Sequence, residues 1–134
     1  MTDEVAAGAD LLDTVLSDAR RRLAGSPRER LGDWAHSRRL LGFGRAPRIV
    51  PVGEAWHVGV LLIADAEVYA TGEILRARAE AVRGYTEEAQ RARSERAAAA
   101  ARGGFADGEV LHLGATQIDL DAVRRGERSG PLVL

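Results

Sequence analysis

The sequence predicts an α+β fold: an N-terminal helical hairpin packed on a small, mostly antiparallel sheet, with a third helix crossing it. Three observations carry this expectation. Apolar residues recur at helical spacing as far as Leu41, β-branched and aromatic residues crowd positions 49–75, and an alanine-rich stretch closed by Gly103-Gly104 follows. A chain of 134 residues, 46% hydrophobic and 29% charged, has the size and composition of one globular domain. Residues 1–134 therefore read as a single domain, with a helical hairpin over 1–41 and a β-β-β-α-β core over 48–134.

The first helix is expected from Asp3 to Leu23. Val5, Leu12, Val15, Leu16, Ala19 and Leu23 form its apolar stripe, Asp3 and Glu4 suit its N-terminal dipole, Arg20 to Arg22 suit its C-terminal end, and Gly25 stops it. Ser26-Pro27-Arg28-Glu29 has the form of a capping box, with proline in the first turn, and predicts a second helix to about Leu41. Strand formers then take over in three runs: Ile49 to Val52, Trp56 to Ala64 and Glu67 to Leu75, with a hairpin turn at Asp65-Ala66. Pro51 cannot donate to a ladder, which predicts a short, edge or bulged first strand. A third helix should start after Thr86 and stop at Gly103, with Phe105 closing its end. A strand from Val110 to Leu113 and a helical turn near Asp121 to Arg125 complete the core. The ending Pro131-Leu132-Val133-Leu134 reads as a last docked strand or as a domain truncated at its C-terminus.

Composition excludes several chemistries. The chain has no cysteine, so disulfides, thiolate metal sites and thiol nucleophiles are closed to it. All 19 basic residues are arginine, which removes a Schiff-base lysine, a P-loop lysine and an S-x-x-K pair. A net charge of -1 supplies no global attraction to nucleic acid or to an anionic membrane. The longest apolar run, Val58 to Ala64, is too short to span a bilayer, and Met1 leads into acidic residues rather than a signal peptide. These features predict a cytoplasmic chain with no membrane partner and no cofactor.

The candidate catalytic residues are His57, Glu73 and Glu54. His57 lies on a predicted strand face with Leu61 and Ile63, where Glu54 or Glu73 would orient it as a general base. A zinc or iron site would need His57 and His112 to converge with one of these acids. No H-x-H or H-E-x-x-H spacing is present, so no metal is expected. Asp119-Leu120-Asp121 reads as a cap and first turn. Arg76, Arg78, Arg91, Arg93 and Arg96, with Arg45 and Arg48, form a candidate patch for phosphate or an acidic partner. Interleaved Glu73, Glu80, Glu87, Glu88 and Glu95 predict a salt-bridged face instead, and aromatic residues at 4% leave little for base stacking.

The segment Ala46-Pro47-Arg48-Ile49-Val50-Pro51-Val52-Gly53-Glu54-Ala55-Trp56-His57, with Ala70-Thr71-Gly72-Glu73 and Arg102-Gly103-Gly104-Phe105-Ala106, resembles a family of small uncharacterised proteins from high-GC actinobacteria. Some members carry the label glutaminase. The resemblance implies an amide hydrolase, for which His57 and Glu73 would be the site, although the lysine and cysteine of the common glutaminase mechanisms are missing. Taken together, the residues favour a soluble accessory or interaction domain, with the alanine face or an open sheet edge as the expected surface of a homodimer. The alternatives are a small amide hydrolase and an arginine-mediated binder of nucleic acid or an acidic partner, of which nucleic acid is the less expected; a small-molecule ligand is not specified.

Overall fold

The computed structural model describes residues 2–35, 46–80 and 87–134. The architecture is α+β with mostly antiparallel strands, and the chain divides into two compact units. One comprises Met1–Arg28, Ala55–Thr71 and Ala115–Leu134; the other comprises Glu29–Glu54 and Gly72–Gly114. Among the described residues no helix is long and apolar enough to cross a membrane.

The first unit opens with helix α1 (Thr2–Leu23), acidic in its first turn and basic in its last. Leu12 and Leu16, one helical turn apart, are its buried face, whereas Val5 and Val15 of the expected stripe are exposed. The strand part of this unit is a meander. Strand β2 (Ile49–Val58) lends its last residues, which turn through Gly59 into β3 (Leu61–Ile63), with Trp56 opposite Ile63 and Val58 opposite Leu61. The turn is tight because Gly59 adopts φ 61°, a left-handed conformation that costs glycine nothing. Strand β3 pairs with β4 (Val68–Ala70) across the expected bend at Asp65-Ala66, where Ala64 N–H donates to Glu67 O at 2.9 Å.

The short β7 (Thr116–Gln117) pairs with β4, and the helical turn α3 (Leu120–Arg124) follows it. Asp119 caps that turn by accepting from Ala122 N–H at 3.0 Å, as its place in the sequence suggested. Leu12, Leu16, Val68, Ile118 and Val123 form the core of the unit, and Arg124 ties α3 to Asp13 of α1 at 2.8 Å. At the C-terminus Ser129 and Leu132 form one isolated bridge, and Val133 and Leu134 are exposed rather than held in a strand.

The second unit holds β1 (Glu29–Trp34), residues 49–54 of β2, β5 (Glu73–Arg76), helix α2 (Glu88–Arg102) and β6 (Val110–Leu113), with strand order β5-β6-β1-β2. Here the expected second helix is overturned. Glu29–Trp34 is a strand, paired in parallel with β6 through Arg30↔Leu111 and Leu31↔His112; residues 36–41 of that expected helix lie outside the described residues. The capping-box pattern is a local signal, and long-range pairing outweighs it. Gly32 shows why: its bare α-carbon lets Ile49, Leu111 and Phe105 close over the strand, with an added Cβ falling 2.8 Å from Ile49 Cγ2.

Arg30 supplies the other fastening. Its guanidinium forms a two-pronged bond with Glu109 at 2.7 Å and 2.7 Å and stacks on Phe105 at 4.7 Å. The Arg30 hydrogen bonds hold the Glu109 carboxyl below its ordinary value, partial burial opposes them, and the Ala106 N–H adds to the lowering.

The expected β-β-β-α-β core is also redrawn, as β2, β3, β4, β5, α2, β6, β7 and α3. Pro51 does not shorten the first strand, which runs unbroken from Ile49 to Val58. The run from Trp56 is cut at Gly59. The run from Glu67 is cut at Gly72, where an added Cβ would collide with the carbonyls of Leu113 and Gly114. Helix α2 starts and stops as expected, and Phe105 N–H bonds Ala100 O at 3.1 Å beyond its end. Ala97 to Ala100 are buried, Ala99 and Ala100 in a core with Ile49, Leu75, Ala77, Phe105, Leu111 and Leu113.

Two measurements test this packing. A Cβ on Gly103 would overlap the Ile49 carbonyl, so Gly103→Ala should destabilise the chain by about 3 kcal/mol, while Gly25→Ala, with nothing within 4 Å, should stay within about 0.5 kcal/mol in urea melts. Glu109→Gln should cost roughly 1 kcal/mol at pH 7, a figure already discounted for solvent screening. Because the folded pKa is the lower one, that stabilisation is complete above the unfolded value and vanishes as pH falls through the folded one. Thermal melts of the two proteins should therefore differ at neutral pH and converge only in acid, below the ordinary glutamate range.

Candidate anion-binding groove

Strand β2 carries His57 at its exposed end, in the first unit. Its cross-strand partner is Leu62, so it does not share the expected face with Leu61 and Ile63. The hairpin at Gly59 shifts the register by which those residues were assigned. His57 Nε2 lies 2.8 Å from Gly59 O. Glu54 is exposed on β2 and adds a favourable charge interaction to Arg30, inside the second unit. Glu73 opens β5 in the second unit, and both of its oxygens accept from Arg96 of α2, at 2.6 and 2.7 Å. Arg93 stands 3.9 Å from the same carboxylate. This geometry is that of a helix-to-strand clamp. It raises the Arg96 pKa, chiefly through the Glu73 hydrogen bonds and against a smaller opposing effect of burial.

His112 lies on β6, fully buried between Leu31 of β1 and Ile74 of β5, with Nε2 3.2 Å from Glu29 Oε1. Sequence reasoning missed Glu29 because it was spent on a helix cap. The available clue was the alternation of Glu29 and Leu31 along a strand.

The arginines give the clearest site. Arg76, Arg78 and Arg93 line one groove of about 360 Å³ between β5 and α2, together with Gln90 and Ser94 and with Leu75 and Ala97 at its apolar base. Each wall has a local cause. Leu75 is buried in the sheet, so alternation turns Arg76 to the other face of β5. Gln90, Arg93, Ser94 and Ala97 recur at three- and four-residue spacing and so share one side of α2.

Arg76 donates to Gly108 O at 3.0 Å and Arg93 to Ile74 O at 3.1 Å; Arg93 also pairs at longer range with the Glu73 carboxylate, whose two short bonds go to Arg96. Among the described residues the Arg78 side chain meets no hydrogen-bond or ion-pair partner. Of the expected patch, Arg96 is committed to Glu73, Arg48 and Arg91 do not line the groove, and Arg45 lies outside the described residues.

Comparison with family models, with curated proteins and with solved structures finds no match to this chain. Chemically, a groove with three guanidiniums, two neutral polar side chains and an apolar base can hold an anion. The clamp reading of Glu73 predicts that Glu73→Gln lowers the urea midpoint by about 1 kcal/mol equivalent with an unchanged slope, since both partners are only half-buried.

Proposed function

We propose that the chain is a non-catalytic interaction module whose second unit binds an anionic group in the groove between β5 and α2. One observation carries the reading: Arg76, Arg78 and Arg93 converge on a single concavity while the adjacent carboxylate, Glu73, is taken up by Arg96. The groove is thereby left with more positive than negative charge although the whole chain is nearly neutral. Guanidiniums favour carboxylate and phosphate oxygens because their planar donors match two oxygens at once. A volume near 360 Å³ suits a small ligand or a few residues of a partner.

Isothermal titration with inorganic tripolyphosphate at low ionic strength tests the reading. Binding should weaken steadily with added salt, and Arg78→Glu should weaken it at least tenfold, about 1.4 kcal/mol, without lowering the melting temperature. Absence of binding by the wild-type chain, or equal binding by the variant, would overturn the proposal.

A further inference from the structure

Strand β5 is the edge of its sheet, bonded to β6 on one side only. Ala77 N–H donates to Glu109 O and Ala77 O accepts from Gly108 N–H, so the odd positions 73, 75 and 77 turn their peptide groups toward β6. The even positions turn theirs outward, toward α2. Two of these are closed by the helix: Arg93 donates to Ile74 O at 3.1 Å, and Arg78 N–H donates to Ala97 O at 3.1 Å. Between them stands Arg76. Among the described residues nothing meets its outward N–H and C=O, and its side chain lines the same groove.

An edge of this kind ordinarily needs protection or a partner. Arg76 presents a donor and an acceptor side by side, and that combination discriminates between ligand classes. A bare oxyanion, or a nucleic-acid phosphate, satisfies the N–H but places negative charge against the carbonyl oxygen. A residue of an extended peptide satisfies both, exchanging N–H···O=C bonds in the two-bond ring of an antiparallel ladder. Charge completes the choice. Arg76 and Arg78 lie two residues apart on one face, so an acidic side chain of the incoming residue opposite Arg76 has Arg76 as its direct neighbour and Arg78 as its diagonal one.

Resting on the anion-binding reading above, we infer that the ligand is a short acidic peptide segment, added antiparallel to β5 at Arg76 and held by Arg76, Arg78 and Arg93. The segment is short because Ala97 bars the edge at Arg78 and Arg93 crosses it at Ile74.

The test uses the ¹⁵N-labelled full chain and the peptide acetyl-Glu-Val-Glu-Val-Glu-amide, with two versions N-methylated at the Glu or at the Val positions. The unmodified peptide should shift the Arg76 amide resonance and protect it from hydrogen exchange, and one N-methylated version should bind at least tenfold more weakly than the other. Tripolyphosphate is titrated in parallel. If tripolyphosphate binds but the peptide leaves the Arg76 amide unmoved, or both methylated peptides bind as tightly as the parent, the strand-pairing inference is wrong and anion binding survives. If neither ligand binds, both readings fall together.

Discussion

The close approach of helix α2 to strand β5 is the constraint on which the second unit depends. Ala97 to Ala100 present only methyl groups and Gly103 none, so the helix reaches the sheet at backbone distance: Ala97 O takes the Arg78 N–H, and Gly103 sits against the Ile49 carbonyl. Larger side chains would hold the two apart, and the clamp between Arg96 and Glu73 and the reach of Arg93 to Ile74 O would be lost with the contact. Little apolar area is buried per alanine, so the large apolar partners in this contact come from the sheet side and from Phe105.

How much of this was legible in the sequence depends on whether the governing interaction is local. Helix α2, strand β6 and the bend at Asp65-Ala66 were legible because caps, glycines and alternation act within a few residues of where they stand. Strand β1 was not. Its fate is decided by Leu111 and His112, about eighty positions away, and by the contact space that Gly32 leaves open, none of which a window around Ser26-Pro27-Arg28-Glu29 contains. Gly59 and Gly72 stand inside the expected strand runs rather than at their ends. Only the register reveals that one makes a hairpin and that the other divides two units.

The candidate site was half visible in the same sense. The arginines stood out as a group, yet the interleaved acids argued for a neutralised face. The structure sorts them by side. Glu73 turns to Arg96, while Gln90, Arg93 and Ser94 come to one flank of the helix facing Arg76 and Arg78. His57, the most conspicuous side chain for catalysis, is exposed at a strand end, whereas His112, which drew less notice, is the fully buried one. Burial of a histidine on a strand depends on which neighbours the sheet brings to it, and that information is non-local.

The four successive buried alanines also say something about motion. Consecutive helical residues point about a hundred degrees apart, so four in a row engage nearly the whole circumference of the helix over that one turn. From Glu88 to Arg96 the same helix is exposed or half-buried. Local opening therefore begins at the wet end and stops at the dry one, giving a gradient of amide protection along a single element. Gln90, Arg93 and Ser94 fall on the yielding side of that gradient, so one wall of the groove can breathe while the strand opposite keeps its place.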